Sequence, residues 1–311
     1  MIGPDGCAVF DLSAHVKLRV SGNDRIRFLN GQLSNDIRKA SESAALEACI
    51  LNAKGKLDGH VFIVADRDSF LLEAEPALRE SLQARLERYI IADDVQVEDV
   101  TGRLSIFHVA GPQRPAVAGE CRIISADRFG LPGWDLWVEA ERRDAIRAQL
   151  SDQFGFCEPE DAEIFRIEQG IPRWGRELSG EIIPLEANLE ARCVDYGKGC
   201  YVGQETISRM KMSGQTNKKL CGLVASLHVP LTAGMRLLAI GEEPREVGWI
   251  TSAVYSKRLQ KYIALGYVKR GPGQVVGAKL DALERSERPG SAAVRVEVTG
   301  LPFSPSAAPK V

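Results

Sequence analysis

Apolar and polar positions along this chain follow one texture up to about Lys218 and another beyond it. Ile26, Leu29, Leu33 and Ile37 recur at helical spacing behind Ser21-Gly22-Asn23-Asp24, a run suited to capping, so a helix is predicted there. Arg25, Arg27, Asn30 and Arg38 fall off that stripe. The run ALEACILN, residues 45–52, predicts a strand, followed by a turn at Ala53-Lys54-Gly55-Lys56. HVFIVA and SFLLEA flank Asp66-Arg67-Asp68 and predict a hairpin. Pro76 then opens a helix that Leu78, Leu82, Leu86 and Tyr89 continue. This grouping predicts an α+β lobe with a largely antiparallel sheet.

A second lobe repeats the rhythm. LSIFHVAG and WDLWVEA predict strands, and residues 142–150 a helix. Residues 160–169 predict another helix, opened by Pro159 and stopped by Gly170 and Pro172. After Lys218 the helical period disappears. LCGLVAS, MRLLAIG, EVGWITSAVYS, YIALGYVKR and AVRVEVTG are short runs between Gly, Pro and charged turns, which predicts a small all-β domain, a barrel. The boundaries read as 1–95, 96–217 and 218–300, with 301–311 a disordered polar tail.

The length of 311 residues fits two or three lobes rather than one. Apolar residues at 44% and charged residues at 26% are ordinary for a globular protein, and a net charge of -2 gives no global pull toward nucleic acid or anionic lipid. No apolar run reaches the roughly 18 residues that span a bilayer. The opening MIGPDGCAVFDLSAHV has no basic-then-apolar leader pattern, so the expected compartment is the cytoplasm. The seven cysteines (Cys7, Cys49, Cys121, Cys157, Cys193, Cys200 and Cys221) are scattered, odd in number and without a C-x-x-C pair. That usage predicts reduced thiols and no self-contained zinc or iron–sulfur site.

The stretch that concentrates chemistry is Gly197-Lys198-Gly199-Cys200-Tyr201-Val202-Gly203-Gln204-Glu205. Three glycines around one cysteine suggest backbone conformations or close approaches that side chains would block. Lys198 stands two residues before Cys200, and a nearby cation favours a thiolate. A helix opening at Gln204-Glu205 would act in the same direction. The parts are those of a reactive cysteine. The competing reading makes Cys200 a small buried hydrophobe in a turn. A Cys/His catalytic pair has little support, because none of the four histidines (His15, His60, His108, His228) lies in a signature. Cys193 is a candidate second thiol.

The octapeptide K-G-C-Y-x-G-Q-E resembles the signature of the YgfZ-type proteins, the folate-binding branch of the superfamily that includes the aminomethyltransferase (T-protein) of glycine cleavage. The resemblance covers most of the chain. Gly22-x-Asp24 through Phe28-Leu29-x-Gly31-Gln32-Leu33 and Asn35-Asp36 is similar to that family's first helix, and Leu51-Asn52-x-x-Gly55-Lys56 to its first turn. Arg166-x-Glu168-x-Gly170-x-Pro172, Glu177-Leu178 and Pro184-x-Glu186 lead into the signature, and Gly248-x-x-Thr251-Ser252 resembles a pattern of its barrel.

The resemblance implies a three-lobed ring, two interleaved α+β (ferredoxin-like) lobes plus a C-terminal β-barrel, around a tetrahydrofolate pocket. It implies that Glu168 receives the pterin's ring nitrogens, a role for which a carboxylate with two acceptor oxygens is suited. The other reading of Glu168 is a solvated helix residue in a surface pair. Arg173 and Trp174 would meet the folate tail and line the pterin, or else be surface and core residues. Cys200 would supply one ligand to an iron–sulfur cluster shared with an A-type scaffold or client enzyme, or react transiently with sulfur or a partner thiol, tuned by Lys198, with Tyr201 shaping the pocket and Gln204 and Glu205 anchoring the loop. The T-protein's essential aspartate, in a Gly-Gly-x-x-Asp-Asp run, compares with Asp58 in Gly55-Lys56-Leu57-Asp58-Gly59-His60, where the pair is broken and the flanks are basic. The implied function is folate-dependent iron–sulfur assembly or repair, supporting tRNA-modifying enzymes indirectly; aminomethyl transfer is the alternative. Direct tRNA binding is not expected. The basic residues Arg209, Lys211, Lys218 and Lys219, and Arg25, Arg27, Arg38 and Lys39, read first as a solvated face.

Overall fold

A computed structural model describes residues 8–241, 244–286 and 293–303. Nine strands come first: β1 (Ala8–Asp11), β2 (Val16–Ser21), β3 (Leu46–Leu51), β4 (Leu57–Asp66), β5 (Ser69–Ala74), β6 (Gln96–Asp99), β7 (Leu104–Ala110), β8 (Arg122–Ser125) and β9 (Gly133–Glu139). The helices are α1 (Arg25–Gln32), α2 (Arg79–Glu87), α3 (Arg143–Ser151), α4 (Pro159–Glu168), α5 (Glu190–Cys193) and α6 (Gln204–Ser213). Six further strands follow: β10 (Lys218–Ala225), β11 (Arg236–Ala239), β12 (Glu246–Ser256), β13 (Lys261–Lys269), β14 (Lys279–Leu283) and β15 (Val294–Thr299). The α+β class with a terminal barrel is therefore found, as the hydrophobic pattern predicts.

The chain divides into two compact units. The first holds the chain through Ala162 together with Gly180–Pro184 and Leu189–Arg209. It contains a five-stranded sheet, β3-β4-β5-β2-β6, and a four-stranded sheet, β1-β7-β9-β8, with antiparallel neighbours throughout. The N-terminal β1 pairs with β7 of the four-stranded sheet, so the two sheets are interleaved in sequence. Val64 and Leu71 of one sheet share a buried cluster with Ile106, Ile124 and Trp137 of the other. Helix α3 covers the four-stranded sheet with Ile146 and Leu150.

The second unit holds Glu163–Ser179, Leu185–Asn188 and the chain from Met210 on. Its strands close into a barrel in the order β10-β13-β12-β11-β14-β15. Leu223, Leu237, Ile250, Ala264, Leu280 and Val296 fill the interior. Gly248 is needed there, because a Cβ would sit 2.0 Å from the Tyr267 carbonyl oxygen.

Three expectations change. Helix α1 stops at Gln32, since Leu33 turns extended and bridges to Ile50, and Ile37 lies in a separate 3-10 turn. Of the predicted stripe Ile26 is 44% exposed, and within α1 the buried residues are Phe28, Leu29 and Gln32. Phe303, placed in the expected tail, is buried and donates its N–H to the Glu168 carbonyl at 2.8 Å. The rest of that tail, from Ser304, lies outside the described residues, as does Cys7.

Candidate functional site

Helix α1 ends with carbonyls that the helix itself cannot satisfy. The Lys198 ammonium reaches one of them and two carbonyls just past the helix, donating to Asn30 O (2.7 Å), Leu33 O (2.5 Å) and Asn35 O (2.9 Å). The side chain is buried, and burial lowers its pKa to about 8, so it remains largely protonated at neutral pH. It also lies 5.0 Å from the centre of the buried Tyr201 ring, a cation–π distance. Three backbone carbonyls hold the ammonium, so Lys198 anchors the loop that carries Cys200.

Further bonds fix the same loop. Asp195 N–H donates to Ser34 O (3.0 Å), Val202 N–H to Gly31 O (3.0 Å) and Gly197 N–H to the Asp195 carboxylate (2.8 Å). Asp195 also holds Lys39 at 2.7 Å. Gly203 has φ +84°, and a Cβ on it would lie 2.5 Å from Asn52 O. Gly55 has φ +74°, and its Cβ would lie 2.8 Å from Thr206 Cβ. The turn at residues 52–55 and the signature loop thus interlock through two glycines, one from each motif. Gly199 has open space around it, so of the three glycines only Gly203 carries the conformational demand that was read into all of them.

Between the buried Lys198 and Tyr201, Cys200 is exposed. It sits four residues before Gln204, where α6 begins as anticipated, and Gln204 N–H caps back onto Tyr201 O at 3.2 Å. Cys193 is fully buried at the end of α5, and burial pushes its thiol pKa well up. It touches Cys49, His60 and Glu47, a grouping no sequence motif announced.

Asp58 lies at a β-bulge where the β3–β4 register slips between Ile50 and Leu51. Its carboxylate accepts from Arg85 Nε at 2.7 Å. Arg85 also donates to Gln32 Oε1 (2.9 Å) and Leu51 O (2.8 Å) and stacks on Tyr89. Asp58 is therefore half of a structural ion pair in this arrangement.

In the second unit, Glu168 closes α4. It is only 6% exposed, which removes the solvated-surface reading. Ser256 Oγ donates to its Oε1 at 2.5 Å and Arg258 Nε to its Oε2 at 2.8 Å. Arg258 also donates to Phe303 O at 3.0 Å, which ties the segment after β15 to α4. Arg166 is the hub of a buried network. It binds Glu163 at 2.6 Å, Glu177 at 2.9 Å and Ser252 at 3.0 Å, while Ser252 donates to Glu177 at 2.6 Å. A bulge between Ile250 and Ser252 aims that serine. Motif residues from α4, the loop after it and the barrel thus form one polar cluster. Arg173 is exposed beside Glu163 at 3.2 Å, and Trp174 is half-buried in a turn that bridges to Leu178.

Two family models match the chain: the N-terminal domain of the glycine cleavage T-protein over residues 4–131 and the T-protein C-terminal barrel domain over residues 218–304. A tRNA-modifying protein YgfZ from Escherichia fergusonii is 30% identical over 257 residues, covering 76% of this chain and 77% of that protein. A putative chloroplastic transferase from Arabidopsis thaliana is 29% identical over 302 residues, covering 86% of this chain and 66% of that protein. A mitochondrial iron–sulfur cluster assembly factor homologue from Dictyostelium discoideum is 25% identical, covering 70% and 63%. The chain therefore spans slightly under two thirds of the length of these last two relatives. In fold it is similar to the glycine cleavage aminomethyltransferase T of Bartonella henselae, with a TM-score of 0.82 and 18% identity, covering 96% of this chain and 86% of that one.

Proposed function

The chain belongs to the YgfZ-type family of the glycine cleavage T-protein superfamily, and on that premise we propose that it binds a reduced folate and serves iron–sulfur cluster assembly or repair through the Cys200 thiol. One observation carries the reading: Cys200 is exposed on a loop whose neighbours Lys198 and Tyr201 are buried and bonded. A cysteine there for packing would be the buried member of that loop; this one is displayed. A single thiolate cannot hold a cluster, but it can supply one ligand where a partner supplies the others. The partner class is an A-type scaffold or an iron–sulfur client enzyme. A role in tRNA modification, the activity in the bacterial relative's name, then follows indirectly through clients that need clusters. The place that goes with this reading is the cytoplasm; among the described residues no helix is long and apolar enough to cross a membrane.

Glu168 is assigned to the folate. Each of its oxygens already accepts one bond from the protein and keeps a second lone pair, which suits the paired donors of an aminopyrimidinone edge. Ser256 and Arg258 fix the carboxylate's orientation. Arg173 and Trp174 are assigned to the rest of the ligand. The aminomethyltransferase alternative would need Asp58 as its acid–base group, and the Arg85 ion pair weighs against that use.

Replacing Cys200 by alanine tests the main reading. Because the side chain is exposed, the variant should unfold with the wild-type midpoint. Maturation of 4Fe–4S enzymes in cells that rely on it should fall. Full maturation with the alanine variant would remove the proposed role.

A further inference from the structure

The cluster around Cys193 is not used by the function above. Glu47 and Cys49 lie two apart on β3 and therefore on one face. His60 stands directly across from Cys49 on β4. Helix α5 brings Cys193 to the same place. His60 Nε2 and Glu47 Oε1 are 2.7 Å apart, and one ligand atom each from Glu47, His60 and Cys193 lie within 4.8 Å of one another. Cys49, on the same face of β3 as Glu47, is also a neighbour of the Cys193 thiol. Both cysteines are 0% exposed and Glu47 is 8% exposed.

The positions are braced from behind. Ser34 Oγ accepts from Cys49 N–H (2.9 Å) and donates to Cys193 O (2.6 Å). Asn35 Nδ2 donates to Glu47 O (2.9 Å) and to Arg192 O (3.2 Å). One dipeptide thus clamps β3 to α5 on both sides of the cluster. Supporting bonds of this kind hold metal ligands in place in metalloproteins. The outer edge is more open: His60 is 12% exposed and Arg192, 3.3 Å from Glu47, is 26% exposed.

We propose that Glu47, His60 and Cys193 form a binding site for one divalent d-block cation of the zinc or ferrous class, with a fourth ligand from solvent. An imidazole, a carboxylate and a thiolate together suit a borderline-soft ion in four-coordinate geometry. They do not suit magnesium or calcium, which take oxygen. No redox step is involved. The cation displaces the proton carried by the Cys193 thiol and any proton on the ligating His60 nitrogen, and these pass to solvent. A purely structural reading, with a His60–Glu47 pair above two small apolar thiols, accounts for the bond between the first two but leaves the convergence of sulfur on them without a use.

Cobalt(II) is the probe. The full chain, purified under reducing conditions and stripped with chelator, is titrated with cobalt and then with competing zinc. The Cys200→Ser variant is taken through the same steps, so that the exposed thiol of the proposed function cannot supply the signal. The expected result is one cobalt per chain, with a thiolate-to-cobalt charge-transfer band and tetrahedral d–d bands. All of these persist in Cys200→Ser and are erased by one equivalent of zinc. Cys193→Ser and His60→Gln should each weaken cobalt binding at least tenfold. Absence of the charge-transfer band from Cys200→Ser in excess cobalt overturns the site, and so does a band unchanged in a folded Cys193→Ser. The Cys200→Ser titration leaves the cluster untouched and decides the matter even where the buried substitutions prevent folding.

Discussion

Gly203→Ala should cost much more than Gly199→Ala, although both glycines bracket Cys200 in one short loop. At Gly203 the backbone has φ +84°. An L side chain there costs about 1–2 kcal/mol. The added Cβ would also lie 2.5 Å from Asn52 O and 3.1 Å from Gly55 Cα. Both neighbours are backbone in a tight turn, so relief requires moving the turn and not rotating a side chain. Overpacking of that kind adds about 1–3 kcal/mol. The unfolded chain loses some freedom on gaining a methyl, which returns about 0.4–1 kcal/mol. The net expectation is a loss of roughly 1–5 kcal/mol, centred near 3, a large share of a typical domain's stability. Gly199 has nothing within 4 Å of its would-be Cβ and no left-handed φ, so alanine there should shift stability by less than about 1 kcal/mol in either direction. Urea unfolding of both variants gives the comparison. The reaction rate of Cys200 with an aromatic disulfide, followed in native buffer, reports whether the loop has moved. Equal stabilities for the two variants, or a wild-type Gly203→Ala, would refute the interlock between the signature loop and the turn at 52–55.

Lys198→Met removes the partner of three carbonyls in a buried setting, and should lower stability by about 2–4 kcal/mol in denaturant unfolding; a neutral result would show that those carbonyls find other donors. Burial would push the Glu73 carboxyl up, but Arg128 and His15 outweigh it and hold its pKa down from the ordinary 4.5 to about 2. A lowered carboxyl contributes stability that is fully present above its unfolded value and is lost as pH falls toward its folded one. Unfolding free energy should therefore drop by about 3 kcal/mol between pH 4.5 and 2 on this account, and Glu73→Gln should flatten that slope. Glu168→Gln weakens the bond to Arg258 at a cost of about 1–2 kcal/mol, and calorimetric titration with tetrahydrofolate should show at least tenfold weaker binding; unchanged affinity would reject Glu168 as the pterin's partner.

Legibility in the sequence tracked how local each determinant is. The barrel was readable because five of its six strands are runs bounded by turn residues, and the β4–β5 hairpin because Arg67-Asp68 closes it directly. The α1 stripe misled because Leu33 and Ile37 are buried for other reasons, one bridging to Ile50 and the other in its own 3-10 turn. The signature loop was found, but its internal logic was not. Lys198 and Cys200 are neighbours in sequence, whereas the ammonium's three partners come from residues 30–35, at and just past the end of α1 and far back along the chain. Sequence distance made the lysine look like a modifier of the thiol; tertiary structure makes it a fastener of the loop that presents the thiol. The same reasoning explains why Glu47, Cys49, His60 and Cys193 drew no attention as a group. None sits in a spaced ligand motif. Their meeting depends on the β3–β4 register, which sets His60 opposite Cys49, and on Ser34 and Asn35 holding α5 against β3. A one-residue slip in that register would turn His60 to the other face of the sheet and disperse the cluster, so the pairing of two strands is itself the determinant of the site.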